Sequence, residues 1–154
     1  MTIRLNLEAD YARTLLPLGR NWRQAADRAL ATLDVSAACG WALIQVGRLG
    51  DNVRQTDLAQ ELDMTSPSLV RLLDQLATAG MIRRVADTTD RRVSRVNLTA
   101  PGHVLLQTIE GVLANLRRDI LAGLSDADLA SALAVARHVE KTFTRPNPRS
   151  GGAK

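Results

Sequence analysis

A chain of 154 residues with 45% hydrophobic and 23% charged side chains has the size and composition of one globular domain with a core of its own. It contains no apolar run of the ~18 residues that span a membrane, and a single cysteine, Cys39, excludes an internal disulfide framework. The net charge is only +4, yet 18 of the 20 basic residues are arginine, which suits phosphates and guanine edges but is also favoured by GC-rich genomes.

The first two predicted helices precede a turn. Apolar and small residues at helical spacing predict a helix over residues 8–33, in which Pro17 and Gly19 favour a kink or a late start. Ser36 is a suitable N-cap for a second helix that extends to about residue 49. Residues 50–52, Gly-Asp-Asn, then predict a turn.

Two short helices, near residues 55–62 and 66–79, follow with three residues between them. Each has a leucine-rich face, so the short connection predicts that they cross steeply, as in a helix-turn-helix. Asp63 lies in the connection, where the turn needs a left-handed backbone, and Asp tolerates that conformation better than most residues.

The opposite face of the second short helix carries small and polar side chains. Together with the N-cap, the candidate DNA contacts on this face are Thr65, Ser66, Pro67, Ser68, Arg71 and Gln75. Hydroxyl groups at a helix N-terminus bind phosphate, and arginine pairs with guanine. The alternative is the solvated face of an ordinary helical hairpin.

A two-stranded ribbon over residues 81–98 comes directly after these helices, with its charge concentrated on the tip. In this position a ribbon is a wing, whose tip lies along the minor groove of DNA while the preceding helix enters the major groove. The candidate contacts are Arg84, Asp90, Arg91, Arg92 and Arg95, with Asp90 placed to brace the Arg92 guanidinium. The alternative is that a charged tip only prevents edge pairing between sheets.

Two longer helices complete the chain. Thr99 and Pro101 open a helix that extends to about residue 121, and Ser125 with Asp128 resembles a capping box for a last helix to residue 143. Their apolar faces are wider than the stripe of a surface helix. Residues 144–154 have little apolar content, and we expect them to be disordered.

These segments resemble the MarR family of bacterial regulators. The stretch DRRVSRVNLT is similar to the family's wing signature D-x-R-x-x-x-V-x-L-T, whose fixed positions are filled by Asp90, Arg92, Val96, Leu98 and Thr99. The upstream segment resembles the family's helix-turn-helix at Leu58, Ala59, Leu62, Leu76 and Gly80. The order of elements fits the family from about residue 10 to 143.

The resemblance implies a mainly α fold with a two-stranded wing. It implies a single domain, residues 1–143, in which about 36–99 form a winged helix-turn-helix. The helices at about 8–33 and 100–143 would intertwine in a homodimer.

The resemblance also implies a transcription regulator that binds double-stranded DNA. A dimer would read a pseudo-palindromic operator, with Arg92 in the minor groove and Arg71 as the candidate guanine contact. A repressor that a small aromatic acid or phenol releases from its operator is the expected mode of action.

The predicted effector site rests on residue type alone. Trp22 and Trp41, two of the four aromatic residues, lie on the first two predicted helices and would stack on a planar ligand. Arg20 and Arg23 would pair with its carboxylate, and Gln45 would bond its hydroxyl group. The alternative is that both tryptophans fill the core.

Other functions fit the sequence less well. We expect no enzyme, cofactor or metal site, because Cys39, His103 and His138 lie on three different predicted helices without triad or ligand spacing. A winged helix that binds another protein and a redox sensor that uses Cys39 stay open as alternatives. One cysteine and an N-terminus without a signal-peptide pattern favour a cytoplasmic protein that does not contact a membrane.

Overall fold

The computed structural model describes residues 2–144. The elements are α1 (Thr2–Leu30), a 3₁₀ turn (Ala31–Leu33), α2 (Ala37–Leu49), β1 (Val53–Arg54), α3 (Gln55–Glu61), α4 (Ser66–Thr78), β2 (Ile82–Ala86), β3 (Ser94–Leu98), α5 (Ala100–Ile120) and α6 (Asp126–Thr144). The chain divides after Arg117 into two compact units. The sequence predicts disorder for residues 144–154, and residues 145–154 lie outside the described residues.

Helix α1 is longer than predicted and continues through Pro17. It begins at Thr2, well before the predicted start at residue 8, so of the two alternatives that Pro17 raised, a kink or a late start, the late start is wrong. Residues 3–21 are all exposed, and the carbonyl group that loses its helical N–H partner to the proline can therefore bond to water. Of the described helices, none alone is long and apolar enough to cross a membrane, and only α1 and α2 as a pair bent by 99° meet those two criteria.

Local side-chain and backbone preferences set the helix boundaries as predicted. The Ser36 hydroxyl accepts a hydrogen bond from the backbone N of Cys39 at 3.2 Å, and α2 begins there. The Thr99 hydroxyl accepts from the backbone N of Gly102 at 3.1 Å at the start of α5. Asp63 has a φ of 50°, the left-handed backbone expected in the connection between α3 and α4.

An aliphatic core holds the first unit together. Its largest fully buried side chains are Leu30, Leu43, Val46, Leu58, Leu69, Leu73, Val96 and Ile109. They come from α1 to α5 and from β3, so α4 packs its leucine face inward. Burial of each such side chain contributes about 1.5–3 kcal/mol relative to exposure. This packing determines which face of α4 remains outside.

The wing strands β2 and β3 belong to a three-stranded antiparallel sheet in the order β1-β3-β2, whereas the sequence predicted two strands. Val53 and Arg54 of β1 pair with Val96 and Arg95 of β3. A two-residue strand shows no periodicity, and its partner lies far along the chain, so no local pattern marks it. The base of the wing is thereby attached to the turn that precedes the helix-turn-helix.

Helix α6 lies in the second unit and begins with the predicted capping box. The Ser125 hydroxyl donates to Asp128 Oδ2 at 2.6 Å and accepts from the Asp128 backbone N at 3.1 Å. The bonds that the Ser125 hydroxyl and, at 3.3 Å, the Ser125 backbone N donate to the Asp128 carboxylate lower the pKa of Asp128, because they favour its charged form. Leu133, Val135 and Phe143 are exposed on this helix.

Candidate nucleic-acid interface

Helix α4 has the two faces that the sequence predicts. Its leucines are buried, and the residues left exposed include Ser66, Pro67, Ser68, Arg71 and Gln75. At its N-terminus the Thr65 hydroxyl accepts from the backbone N of Ser68 at 3.4 Å and donates to the Ser68 hydroxyl at 3.0 Å. The helix therefore presents hydroxyl groups and one guanidinium to solvent, an arrangement that suits phosphate and base-edge contacts.

The tip of the wing holds Arg92 in place while leaving it accessible. The Arg92 side chain is 91% exposed. Its Nε donates to Asp90 Oδ1 at 3.2 Å, and its backbone N donates to the same oxygen at 3.0 Å. The predicted bracing of Arg92 by Asp90 is confirmed, and Arg91 beside it is exposed as well.

Asp87 is buried beneath this tip, directly after β2. Its Oδ1 accepts from the backbone N of Thr89 at 2.8 Å, from the Thr89 hydroxyl at 2.6 Å and from the backbone N of Asp90 at 3.3 Å. Its Oδ2 accepts from Arg95 Nε. The bonds from Thr89, followed by that from Arg95, hold the pKa of Asp87 far below its ordinary value of 3.8.

Arg95 is engaged within the chain on two sides of its guanidinium. Besides Asp87, it contacts the backbone O of Asn52, to which its Nη1 donates at 2.7 Å. Its side chain is only 27% exposed. This geometry favours a structural role over the direct DNA contact predicted for Arg95.

Arg84 is also engaged within the chain. Its Nη2 forms an ion pair with Asp74 on α4. The pair links β2 to the helix whose exposed face carries Arg71. Arg84 therefore connects the two elements that would contact DNA, and the contact predicted for its own guanidinium competes with this ion pair.

A cleft of about 440 Å³ lies against the wing. Its lining consists of Asn52, Arg83, Val85, Ala86, Thr88 and Arg95. Arg83 is exposed, so the cleft continues the basic surface of the ribbon. No local pattern in the sequence predicts this cleft, because Asn52 is brought to the wing by the pairing of β1 with β3.

Three side chains at the predicted effector site come together between α1 and α2. The Cζ of Arg23 lies 4.4 Å from the centroid of the Trp41 ring, a cation–π contact. The Arg23 Nε donates to Asp27 Oδ1 at 3.1 Å, and the Trp41 Nε1 donates to the same oxygen at 2.7 Å. Asp27 was absent from the predicted set, although its position one turn after Arg23 is typical of a helical ion pair.

The other predicted effector residues differ in exposure. Trp22 is half-buried, and Arg20 is exposed. Gln45 is half-buried, and its Oε1 is a buried acceptor without a hydrogen-bond partner among the described residues. Such an acceptor lowers stability until a donor reaches it. In the part of the chain that the structure describes, no three potential metal ligands group together.

Comparison with known proteins gives one family. A protein-family model described as MarR family matches residues 33–93. The transcriptional regulator PA3341 is 33% identical in sequence to this chain. Its crystal structure matches with a TM-score of 0.77, and the match covers 86% of this chain and 97% of that one. The apo form of MarR from E. coli is 21% identical, with a TM-score of 0.73 over 83% and 94% of the two chains. The S. aureus MepR–DNA complex is 21% identical, with a TM-score of 0.70 over 87% and 96%.

Proposed function

This chain belongs to the MarR family of winged-helix transcription regulators, and we propose that it is a homodimeric repressor that binds a pseudo-palindromic DNA operator. In this proposal a small aromatic acid or phenol binds the repressor and releases it from DNA. The observation that carries the proposal is the exposed, braced guanidinium of Arg92.

Arg92 is suited to a narrow minor groove, whose enhanced negative potential attracts arginine. A long side chain normally loses conformational freedom when it binds, at a cost of about 0.5–1.5 kcal/mol. Because Asp90 already restrains Arg92, part of this loss has occurred before DNA is met. The same carboxylate limits the directions in which the guanidinium can point.

The exposed face of α4 supports major-groove binding. Ser66 and Ser68 lie in its first turn, where hydroxyl groups and backbone N–H groups suit phosphate oxygens. Arg71 lies one turn further along and is exposed, so its planar fork can pair with the O6 and N7 of guanine. Gln75 follows one turn later on the same side.

Exposed apolar side chains support the homodimer. They include Ile3, Leu5, Leu7, Leu16 and Leu18 on α1, and Leu133, Val135 and Phe143 on α6. Single exposed apolar residues are ordinary, but this many on two helices indicate a surface that another protein covers. A symmetric pair would place two α4 helices on half-sites one turn of DNA apart.

The contacts around Trp41 support an effector site between α1 and α2. The Arg23–Asp27 pair is exposed, so a ligand carboxylate can compete with Asp27 for the guanidinium. The unpartnered Gln45 Oε1 can accept a hydrogen bond from a ligand hydroxyl group. The Trp41 ring gives a planar ligand a surface for stacking.

The test is selection of duplexes from a random-sequence pool by the purified protein, followed by titration of the selected duplex at several salt concentrations. We expect an enriched sequence with two-fold symmetry and an affinity that falls steeply as salt rises, because phosphate contacts release counterions. A winged helix that binds only proteins would enrich no sequence.

Two substitutions assign the groove contacts. Arg92→Ala should weaken binding by about 1–3 kcal/mol, and Arg71→Ala should relax the preference at one base position in each half-site. The matched control is Arg13→Ala, which removes the same charge from an exposed ion pair on α1. Equal binding by all three variants would contradict the assigned contacts.

A further inference from the structure

We propose that Asp87 and Arg95 are positioning residues that aim the Arg92 guanidinium at DNA. A continuous series of hydrogen bonds runs from the turn before β1, through these two side chains, to Asp90 and Arg92. The inference rests on the proposed function, because it concerns how the wing arginine is placed for the DNA contact proposed above.

Hydrogen bonds to Asp87 close the loop at the wing tip. Its carboxylate accepts two hydrogen bonds from Thr89 and one from the backbone N of Asp90. The backbone N of Asp87 donates to the O of Val93 at 2.8 Å, and the N of Val93 donates to the O of Asp90 at 2.9 Å. The tip is therefore a closed loop organised by one buried carboxylate.

Further hydrogen bonds link Asp87 to Arg92 through Asp90. The backbone N of Asp90 is held by Asp87, so the Asp90 side chain starts from a fixed position. Its carboxylate then accepts from the backbone N and the Nε of Arg92, and Arg92 Nη2 lies 3.5 Å from the second oxygen. The direction of the exposed guanidinium consequently depends on the buried carboxylate two contacts away.

Arg95 connects Asp87 to the rest of the first unit. Arg95 bridges Asp87 and the backbone O of Asn52. Asn52 has a left-handed φ of 59°, its backbone N donates to Asn97 Oδ1 at 2.8 Å, and its Oδ1 accepts from Asn97 Nδ2 at 3.1 Å. Asn97 is buried in β3. The orientation of the tip is therefore set relative to the turn between α2 and β1.

Exposure separates the roles of the two arginines. Arg92 is 91% exposed and braced from one side, so it remains free to contact a groove. Arg95 is 27% exposed and contacts a carboxylate and a carbonyl group, so a phosphate would have to displace both. Arg95 thus acts on DNA through Arg92.

The direction in which Asp87→Asn changes DNA affinity distinguishes a positioning role from a purely electrostatic one. Asp87→Asn removes a negative charge from the wing, so the added net positive charge by itself should tighten DNA binding. Loss of positioning should instead weaken binding to the selected duplex, by about 3- to 30-fold, up to the scale expected for loss of a direct contact. The matched control is Glu61→Gln on α3, an equal change of charge outside the network, which should not weaken binding.

A double-mutant cycle links the effect to Arg92. If Asp87 acts through Arg92, Asp87→Asn should have almost no further effect on DNA affinity when Arg92→Ala is already present. Additive losses, or wild-type or tighter binding by Asp87→Asn, would overturn the inference while leaving the proposed function intact. If Arg92→Ala itself binds as well as the wild type, the proposed wing contact and this inference both fail.

A measurement on the protein without DNA distinguishes loss of positioning from unfolding of a variant. In the folded protein, the ¹⁵N relaxation of Arg92 Nε should report a restrained side chain, and Arg95→Gln should make it mobile while the backbone signals of α3 and α4 stay unchanged. Equal restraint of Arg92 Nε in the wild type and in Arg95→Gln would refute the inference.

Discussion

The Sγ of Cys39 lies 4.0 Å from the Oε1 of Gln75, so the single cysteine on α2 touches the helix proposed to enter the major groove. Cys39 is half-buried against the aliphatic core. This contact is the structural feature through which the redox alternative would couple oxidation of Cys39 to α4.

Cys39→Ser should leave DNA binding and its release by an effector unchanged, because the substitution keeps the size and the weak contact to Gln75. Treatment with peroxide should release neither protein from the selected duplex. If peroxide releases the wild type but not Cys39→Ser in a mobility-shift assay, the protein is a redox sensor and the proposed effector class is wrong.

The protein should sediment at about twice its chain mass of 16.7 kDa, because a dimer would cover the exposed apolar side chains on α1 and α6. Leu133→Asp should dissociate or unfold it, since an unpaired charge in an apolar interface is strongly unfavourable. The matched control is Glu140→Gln on the same helix, which should stay dimeric. A stable wild-type monomer in sedimentation equilibrium would contradict the proposed interface.

Asp87 should stabilise the fold near neutral pH and lose this effect in acid. Its pKa in the folded protein lies below the ordinary 3.8, so the unfolded chain takes up the proton first as pH falls below about 4. The difference in urea midpoint between wild type and Asp87→Asn should therefore be largest near neutral pH and shrink at about pH 3. A difference independent of pH would show that the charge of Asp87 contributes nothing.

Two glycines of α5 should respond to alanine in opposite directions. A Cβ on Gly102 would lie 1.9 Å from the backbone O of Met81, which accepts a hydrogen bond from Thr99, so neither group can move freely. Gly102→Ala should lower the free energy of unfolding by about 1–3 kcal/mol. Gly111→Ala meets open space and should raise it by about 0.4–1 kcal/mol. Urea denaturation at one protein concentration measures both.

A benzoate- or salicylate-like acid should quench tryptophan fluorescence, raise the melting temperature and weaken DNA binding. Binding to the free protein stabilises it by RT ln(1 + [L]/Kd). Arg23→Ala should reduce this response without weakening DNA affinity, because it removes the guanidinium over Trp41. Arg28→Ala on the same helix is the matched control. A panel of aromatic acids that changes neither melting nor DNA affinity at millimolar concentration would exclude this effector class.

The sequence predicted what depends on local preferences. Helix caps at Ser36 and Thr99 and the left-handed Asp63 follow from residue type, and the buried leucines of α4 follow from helical spacing. The bracing of Arg92 by Asp90 could be predicted because the two residues lie close together in the chain.

The sequence could not predict which arginines are already engaged. Arg84 and Arg95 look like Arg92 in the sequence, but their partners are a helix residue and the distant Asn52. That distinction depends on strand pairing and on burial, which local composition does not determine. The burial of Asp87 was missed for the same reason, although an Asp two residues before a Thr is typical of an Asx turn.

The pairing of β1 with β3 joins the two ends of the helix-turn-helix segment, because Val53 precedes α3 and Val96 follows the wing tip. Helices α3 and α4 thus lie within a chain loop closed by backbone hydrogen bonds. Because these hydrogen bonds join the two ends of the loop, we expect β1 and β3 to unfold together. Amide hydrogen exchange, which is slow in the paired strands, should then become fast in both strands in one cooperative step. In the proposed dimer, an effector of the proposed kind would therefore move α3, α4 and the wing of each subunit together, and would not turn α4 against its wing.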